Sequence, residues 1–188
     1  STLFPYTQLF RSEQLDSVGI DPRKFEENIL GYDVLIKNGT LIDGTGSPRR
    51  SGNVAISEGQ IVAVGDIDGL ATRVIDANGA IVAPGFIDPH THYDAQIFWD
   101  RNLTISPWHG VTTAVVGNCG FGVAPTRTDH REMIMRTLEK VEGMDVNALR
   151  SGLGEDWPFE SFPEYLDAID NLEPAINVGV LMGHTPLR

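Results

Sequence analysis

The chain has 188 residues, 41% of them hydrophobic and 20 of them glycine, enough apolar material for a sizeable core in one or two domains. Its 14 basic residues against 26 acidic ones give a formal charge of -12, and no Lys/Arg cluster interleaved with aromatics occurs, which argues against nucleic acid and anionic membranes as partners. No stretch has the length and hydropathy of a transmembrane helix and no basic segment leads into an apolar one, so a cytoplasmic protein is expected.

Residues 1–12 have neither a helical nor a strand period. They resemble a translated sequencing-adapter stretch and are expected to be non-native. Glu13 to Tyr32 is polar; Asp21-Pro22 suits a helix start, and Phe25, Ile29 and Leu30 follow at helical spacing, so one short helix is expected in a 1–32 segment with no assigned function. From Asp33 the pattern changes to short strands. Val34 to Lys37 and Thr40 to Ile42 flank Asn38-Gly39, a dipeptide suited to a type I′ hairpin turn. Asn53 to Ser57 and Gln60 to Val64 flank Glu58-Gly59, and Asn78-Gly79 makes a third turn before Ala80-Ile81-Val82. Residues 33–82 therefore read as a small antiparallel β unit of hairpins too short to be stable alone.

After Pro84 strands alternate with helices, which predicts βα units and a parallel sheet. The expected strands are Gly85 to His92, Val111 to Cys119 and Ala175 to Met182. Ser106-Pro107 suits the start of a short helix that Gly110 ends. Asp129 with Glu132, and Ser161 with Glu164, read as capping boxes. The first opens a helix with Met133, Ile134, Leu138 and Val141 on one face, and the second a helix with Phe162, Tyr165, Leu166 and Ile169. Between them, Gly143 to Glu160 reads as a long connection in which Trp157 and Phe159 either wall a pocket or, the favoured role, pin the loop.

Side chains alternate along a strand, so His90 and His92 project from the same face and can offer two imidazoles to one metal ion. A His-x-His tripeptide is weak alone, because two histidines also fit an ordinary strand. Cys119 is the single cysteine and cannot form an intramolecular disulfide; it is a core thiol, a metal ligand, a nucleophile or an intermolecular partner. His90, His92, Cys119 and His184 all fall at C-terminal ends of expected parallel strands, the active face of parallel barrels. Imidazole and thiolate bind Zn²⁺ well and, with an open position, bring a bound water to near-neutral pKa, which points to metal-assisted hydrolysis.

Pro84-Gly85-Phe86-Ile87-Asp88-Pro89-His90-Thr91-His92 resembles the first barrel strand of the metal-dependent amidohydrolase superfamily. The segment Trp108 to Pro125, with Gly117-Asn118-Cys119-Gly120, resembles its N-acyl-D-amino-acid deacylase (D-aminoacylase) branch. So do Asp156 to Leu166, the run Gly183-His184-Thr185-Pro186-Leu187-Arg188, and the 27 residues from His92 to Cys119. The likeness covers Asp33 to Arg188. It implies an α/β fold in which 33–82 is half of a β-sandwich and 83–188 the first three strands of a (β/α)₈ TIM barrel.

It also implies His90 and His92 as ligands of one metal position, and Cys119 as a ligand of the tighter position or a bridge, for one or two Zn²⁺ ions. The reaction implied is hydrolysis of a small-molecule N-acyl-D-amino acid to a carboxylate and a D-amino acid. Such a barrel takes roughly 250 residues, far more than 85–188. The remaining ligands and the general-base aspartate are therefore expected beyond Arg188, the catalytic residue is not named in this chain, and the chain alone is expected to be inactive. Asp94 is a pocket candidate or a solvated loop aspartate; Asp88 reads as structural. His184 and Arg188 are a candidate carboxylate-binding pair, or a strand-end histidine and a surface arginine; His109 and His130 read as surface residues. The competing readings are a hydantoinase- or dihydroorotase-like cyclic amide hydrolase and a non-catalytic scaffold.

Overall fold

A computed structural model describes residues 31–188, which fall into two compact units, one reaching to Pro84 and the other comprising Gly85–Arg188. The helix expected around Asp21 to Leu30 lies outside the described residues.

The first unit is a five-stranded sheet: β1 (Tyr32–Leu41), β2 (Arg50–Ser57), β3 (Gln60–Gly65), β4 (Ala71–Asp76) and β5 (Ile81–Val82). Glu58 and Gly59 both have positive φ and close the expected β2-β3 hairpin. Asn38-Gly39 makes no hairpin. β1 runs straight through it, pairing antiparallel with β2 on one side, and the register slips by one residue between Ile36 and Gly39. The dipeptide is a β-bulge: Asn38 is left-handed, and the amide that leaves the ladder donates to Asn53 Oδ1 at 2.9 Å. Gly39 has no room for a side chain, since a Cβ there would stand 2.6 Å from Val82 Cγ2. On its other edge β1 pairs in parallel with β4 and then with β5, so Asn78-Gly79 turns between two strands that do not pair with each other. The unit is mixed, not antiparallel.

The second unit carries three parallel strands in chain order, β6 (Phe86–Thr91), β7 (Val111–Val116) and β8 (Asn177–Val180). The expected parallel strands form here, β7 from an apolar β-branched run; the β6-β7 connection holds only 3-10 turns, whereas helices lie in the connection from β7 to β8. These are α1 (Arg131–Glu142), α2 (Val146–Leu153) and α3 (Phe162–Asn171), with the short α4 (His184–Leu187) after β8. The core joins Ile97 and Leu103 of the β6-β7 connection to Leu138 of α1, Leu149 of α2 and Tyr165 and Ile169 of α3.

Four local expectations change. Ser106 is inside the short 3-10 turn Ser106–His109 and makes no cap; its hydroxyl meets that of Tyr93 instead. The Asp129/Glu132 capping box does not form, because Thr128–His130 make a 3-10 turn that leads straight into α1, and Glu132 pairs with Arg136 and Arg150. On α1 the buried side chains are Met135 and Leu138, while Met133 and Val141 are exposed, as is Leu166 on α3. The Gly143 to Glu160 connection contains α2, whose N-cap Asp145 accepts from the amides of Asn147 and Ala148. The Ser161/Glu164 box is present, with Ser161 N donating to Glu164 Oε2 at 2.8 Å. Trp157 and Phe159 are buried and pin their loop, with Arg131 stacked 5.4 Å over the Trp157 ring. Among the described residues no helix is long and apolar enough to cross a membrane.

Candidate metal centre

His90 is at the end of β6 and His92 one residue past it, so strand alternation sends both imidazoles the same way, with ring centroids 5.2 Å apart. The intervening Thr91 points inward. It is buried, and its hydroxyl donates to the Val115 carbonyl of β7 at 2.9 Å, locking the register at which the histidines emerge.

Cys119 arrives from the loop after β7. That loop is fastened back to β6 by Asn118 Nδ2, which donates to the Pro89 carbonyl at 2.6 Å. Gly117 begins it with φ +79, and a Cβ there would stand 2.0 Å from the Leu181 carbonyl oxygen, so only glycine lets the chain turn between β7 and β8 at this point. The result is three ligand atoms, one each from His90, His92 and Cys119, all within 4.8 Å of one another. Cys119 Sγ is 3.9 and 4.0 Å from the two ring nitrogens of His92. Cys119 and His90 are exposed and His92 half-buried, so the cluster faces outward from the strand ends.

The donor set is chemically coherent for a soft or borderline divalent metal. Two imidazoles and a thiolate match zinc in ligand type.

Behind the cluster are two acids. Asp94 is 5% exposed, not a solvated loop residue, and burial, with the nearby Glu142 carboxylate, pushes its carboxyl up to about 7. Tyr165 is held well above the ordinary tyrosine range, first by burial and then by the charge of Asp94. Glu142, the last residue of α1, brings Oε1 to 3.0 Å from His92 Nδ1. Asp88 has a backbone role: its Oδ1 accepts from the His90 amide.

A family model for the amidohydrolase family matches residues 73–188 of this chain. The chain belongs to the amidohydrolase family. Among curated amidohydrolase relatives, the D-aminoacylase of Alcaligenes xylosoxydans xylosoxydans is 36% identical over 158 residues, 84% of this chain and 30% of that protein. The N-acyl-D-aspartate deacylase of the same organism is 39% identical over 157 residues, 83% of this chain and 29% of that one. A solved N-acyl-D-glutamate deacylase from Bordetella bronchiseptica, complexed with zinc and a phosphonate mimic of the tetrahedral intermediate, superposes with TM-score 0.64 at 38% identity. That match covers 84% of this chain and 30% of the solved one. A solved D-aminoacylase with a binuclear metal centre superposes with TM-score 0.67 at 36% identity, over 83% and 30% of the two chains. This amidohydrolase chain thus spans about three tenths of the length of these relatives.

The remaining candidates of the amidohydrolase chain are not part of the three-residue cluster. His184 opens α4 and is exposed. Arg188 is exposed and borders a cavity of about 500 Å³ that Arg127, His130 and Leu187 also line. His109 and His130 are exposed as expected. The residue missed from the sequence is Glu142. It ends a helix whose pattern reads as polar there, and the available signal was an acid directly before the helix-ending Gly143, where the helix dipole disfavours negative charge.

Proposed function

We propose that the whole protein to which this chain contributes hydrolyses the amide bond of N-acyl-D-amino acids, with His90, His92 and Cys119 as protein ligands of a zinc site holding one or two ions. The observation that carries the reading is the convergence of two imidazoles and one thiol at adjacent ends of parallel strands. The relatives' substrates, N-acyl-D-amino acids, and the zinc in one of them add support. When bound, zinc supplies a Lewis acid that polarises the acyl carbonyl and acidifies water.

This chain's own contribution is positional. Thr91 and Asn118 fix the two strand ends, so the imidazoles and the thiol are presented together without a large entropy cost on metal uptake. In the overall reaction water adds across the amide: the acyl carbon gains the hydroxyl, and the nitrogen leaves as the amine of the D-amino acid. The proton transfers fall to a general base that we assign to no residue of this chain. Asp94 stands behind the ligands as a buried pocket group. Arg188, at the cavity shared with Arg127, suits the substrate carboxylate better than His184, because a guanidinium can engage it bidentately. On this reading the three parallel strands open a (β/α)₈ barrel, and the mixed sheet of the first unit is part of a β-sandwich.

The test is metal analysis and an amide-hydrolysis assay on the whole protein and on Cys119→Ala. The expected result is zinc and release of D-amino acid in the parent, both lost in the variant. A fully metallated, active Cys119→Ala protein overturns it.

A further inference from the structure

We infer that Glu142 is a positioning residue for the candidate metal centre: its carboxylate takes the Nδ1 side of His92 and leaves Nε2 as the metal-facing nitrogen. The inference rests on the zinc reading above and adds to it the orientation of one ligand and the residue that sets it.

Three observations carry it. Glu142 Oε1 is 3.0 Å from His92 Nδ1, the separation of a charge-assisted hydrogen bond, with the glutamate side chain only 9% exposed. Oε1 is also buried and, among the described residues, has no hydrogen bond that satisfies it. Finally, the carboxylate occupies the last position of α1, where the helix dipole is unfavourable. A buried acid in such a place is costly unless a cationic or donating group meets it, and His92 is the group within reach.

The sulfur cannot make this choice, since Cys119 Sγ is 3.9 Å from Nδ1 and 4.0 Å from Nε2. The carboxylate breaks the tie. An imidazole that gives one N–H to a carboxylate is fixed in tautomer and ring orientation, and its other nitrogen becomes a more basic ligand.

The experiment uses the whole protein, its Glu142→Ala and Glu142→Gln variants, and zinc as the probe. Zinc affinity is measured by competition with a chromophoric chelator, the fold of the metal-free proteins by circular dichroism, and the His92 tautomer by ¹⁵N NMR. We expect Glu142→Ala to weaken zinc roughly 10- to 100-fold. Glu142→Gln, whose amide oxygen still accepts from Nδ1–H, recovers much of that loss. The zinc-loaded parent should show His92 protonated at Nδ1 and metallated at Nε2. Zinc bound by Glu142→Ala as tightly as by the parent overturns the inference, and so does a parent spectrum with His92 metallated at Nδ1, which decides the matter even if the alanine variant fails to fold. A parent protein that binds no zinc overturns the metal reading and this inference together, an outcome distinct from the other two.

Discussion

The Tyr165 hydroxyl donates a 2.9 Å hydrogen bond to the backbone carbonyl of Asp94, joining positions 71 residues apart. Tyr165 is 2% exposed and its ring packs against Phe159 in an edge-on contact at 4.9 Å, so the donor is held in place by α3 and the core. Asp94 is two residues past His92. The bond thus ties the segment that follows β6 and His92 to the middle of the second unit. Tyr165→Phe keeps the ring and removes the donor, leaving a buried carbonyl without a partner. The expected cost is about 1–3 kcal/mol, read as a lower urea midpoint with unchanged slope. A midpoint equal to the parent's would show that the carbonyl finds another donor.

Asp94 makes stability pH-dependent in an identifiable direction. Its carboxyl titrates at about 7 in the folded chain against an ordinary 3.8, because burial and then the Glu142 charge disfavour ionisation. Between those values the folded state holds a proton that the unfolded state has lost. Stability from this group is therefore full below pH 3.8, falls as pH rises towards 7 and is level above it. In metal-free protein, the parent-minus-Asp94→Asn difference in unfolding free energy should change by a few kcal/mol across that window, on the order expected for a shift of this size. A difference that stays flat with pH contradicts the buried, protonated Asp94.

The parts of this fold that were legible in the sequence are those that depend on local period and local chemistry. The parallel strands and the Ser161 capping box follow from local sequence patterns, and alternation puts His90 and His92 on one face; strand ends alone grouped His184 with them and Cys119, and the likeness to the amidohydrolases is what singled out the three that converge. What was hidden depends on partners distant in the chain. Asn38-Gly39 has the same left-handed requirement in a bulge as in a hairpin turn, and only the pairing of β1 with β2, β4 and β5 separates the two. Glu142 reads as a surface acid until α1 is laid beside the β6 end, where its oxygen meets His92.

Helix α2 is held at its start by one side chain, with Asp145 Oδ1 accepting from Asn147 N at 2.9 Å and Ala148 N at 3.1 Å. Asp145→Ala should cost about 1 kcal/mol, while Asp145→Asn, which still accepts and caps, should cost much less. Thermal unfolding of the two variants side by side checks this. Equal losses would mean that the charge at the helix start, not the cap, carries the effect.

Gly117 offers the sharpest separation of backbone strain from site geometry. Alanine there must hold φ +79, which costs roughly 1–2 kcal/mol for a side-chain-bearing residue, and its Cβ must also displace the Leu181 carbonyl, only 2.0 Å away. Leu181 is itself bound to Val116 by an N–H to O bond of 2.9 Å, so relief comes either by parting β7 from β8 or by moving the loop that carries Cys119. Gly59 provides the control: it is also left-handed, at φ +73, but a Cβ there meets open space. Gly59→Ala should lose only the conformational cost and leave zinc binding unchanged. Gly117→Ala should lose more stability and also weaken zinc, because the thiol moves away from the imidazoles. Chemical unfolding and chelator competition on both variants distinguish the cases, and equal effects at the two glycines would show that the Leu181 contact does not fix the position of Cys119.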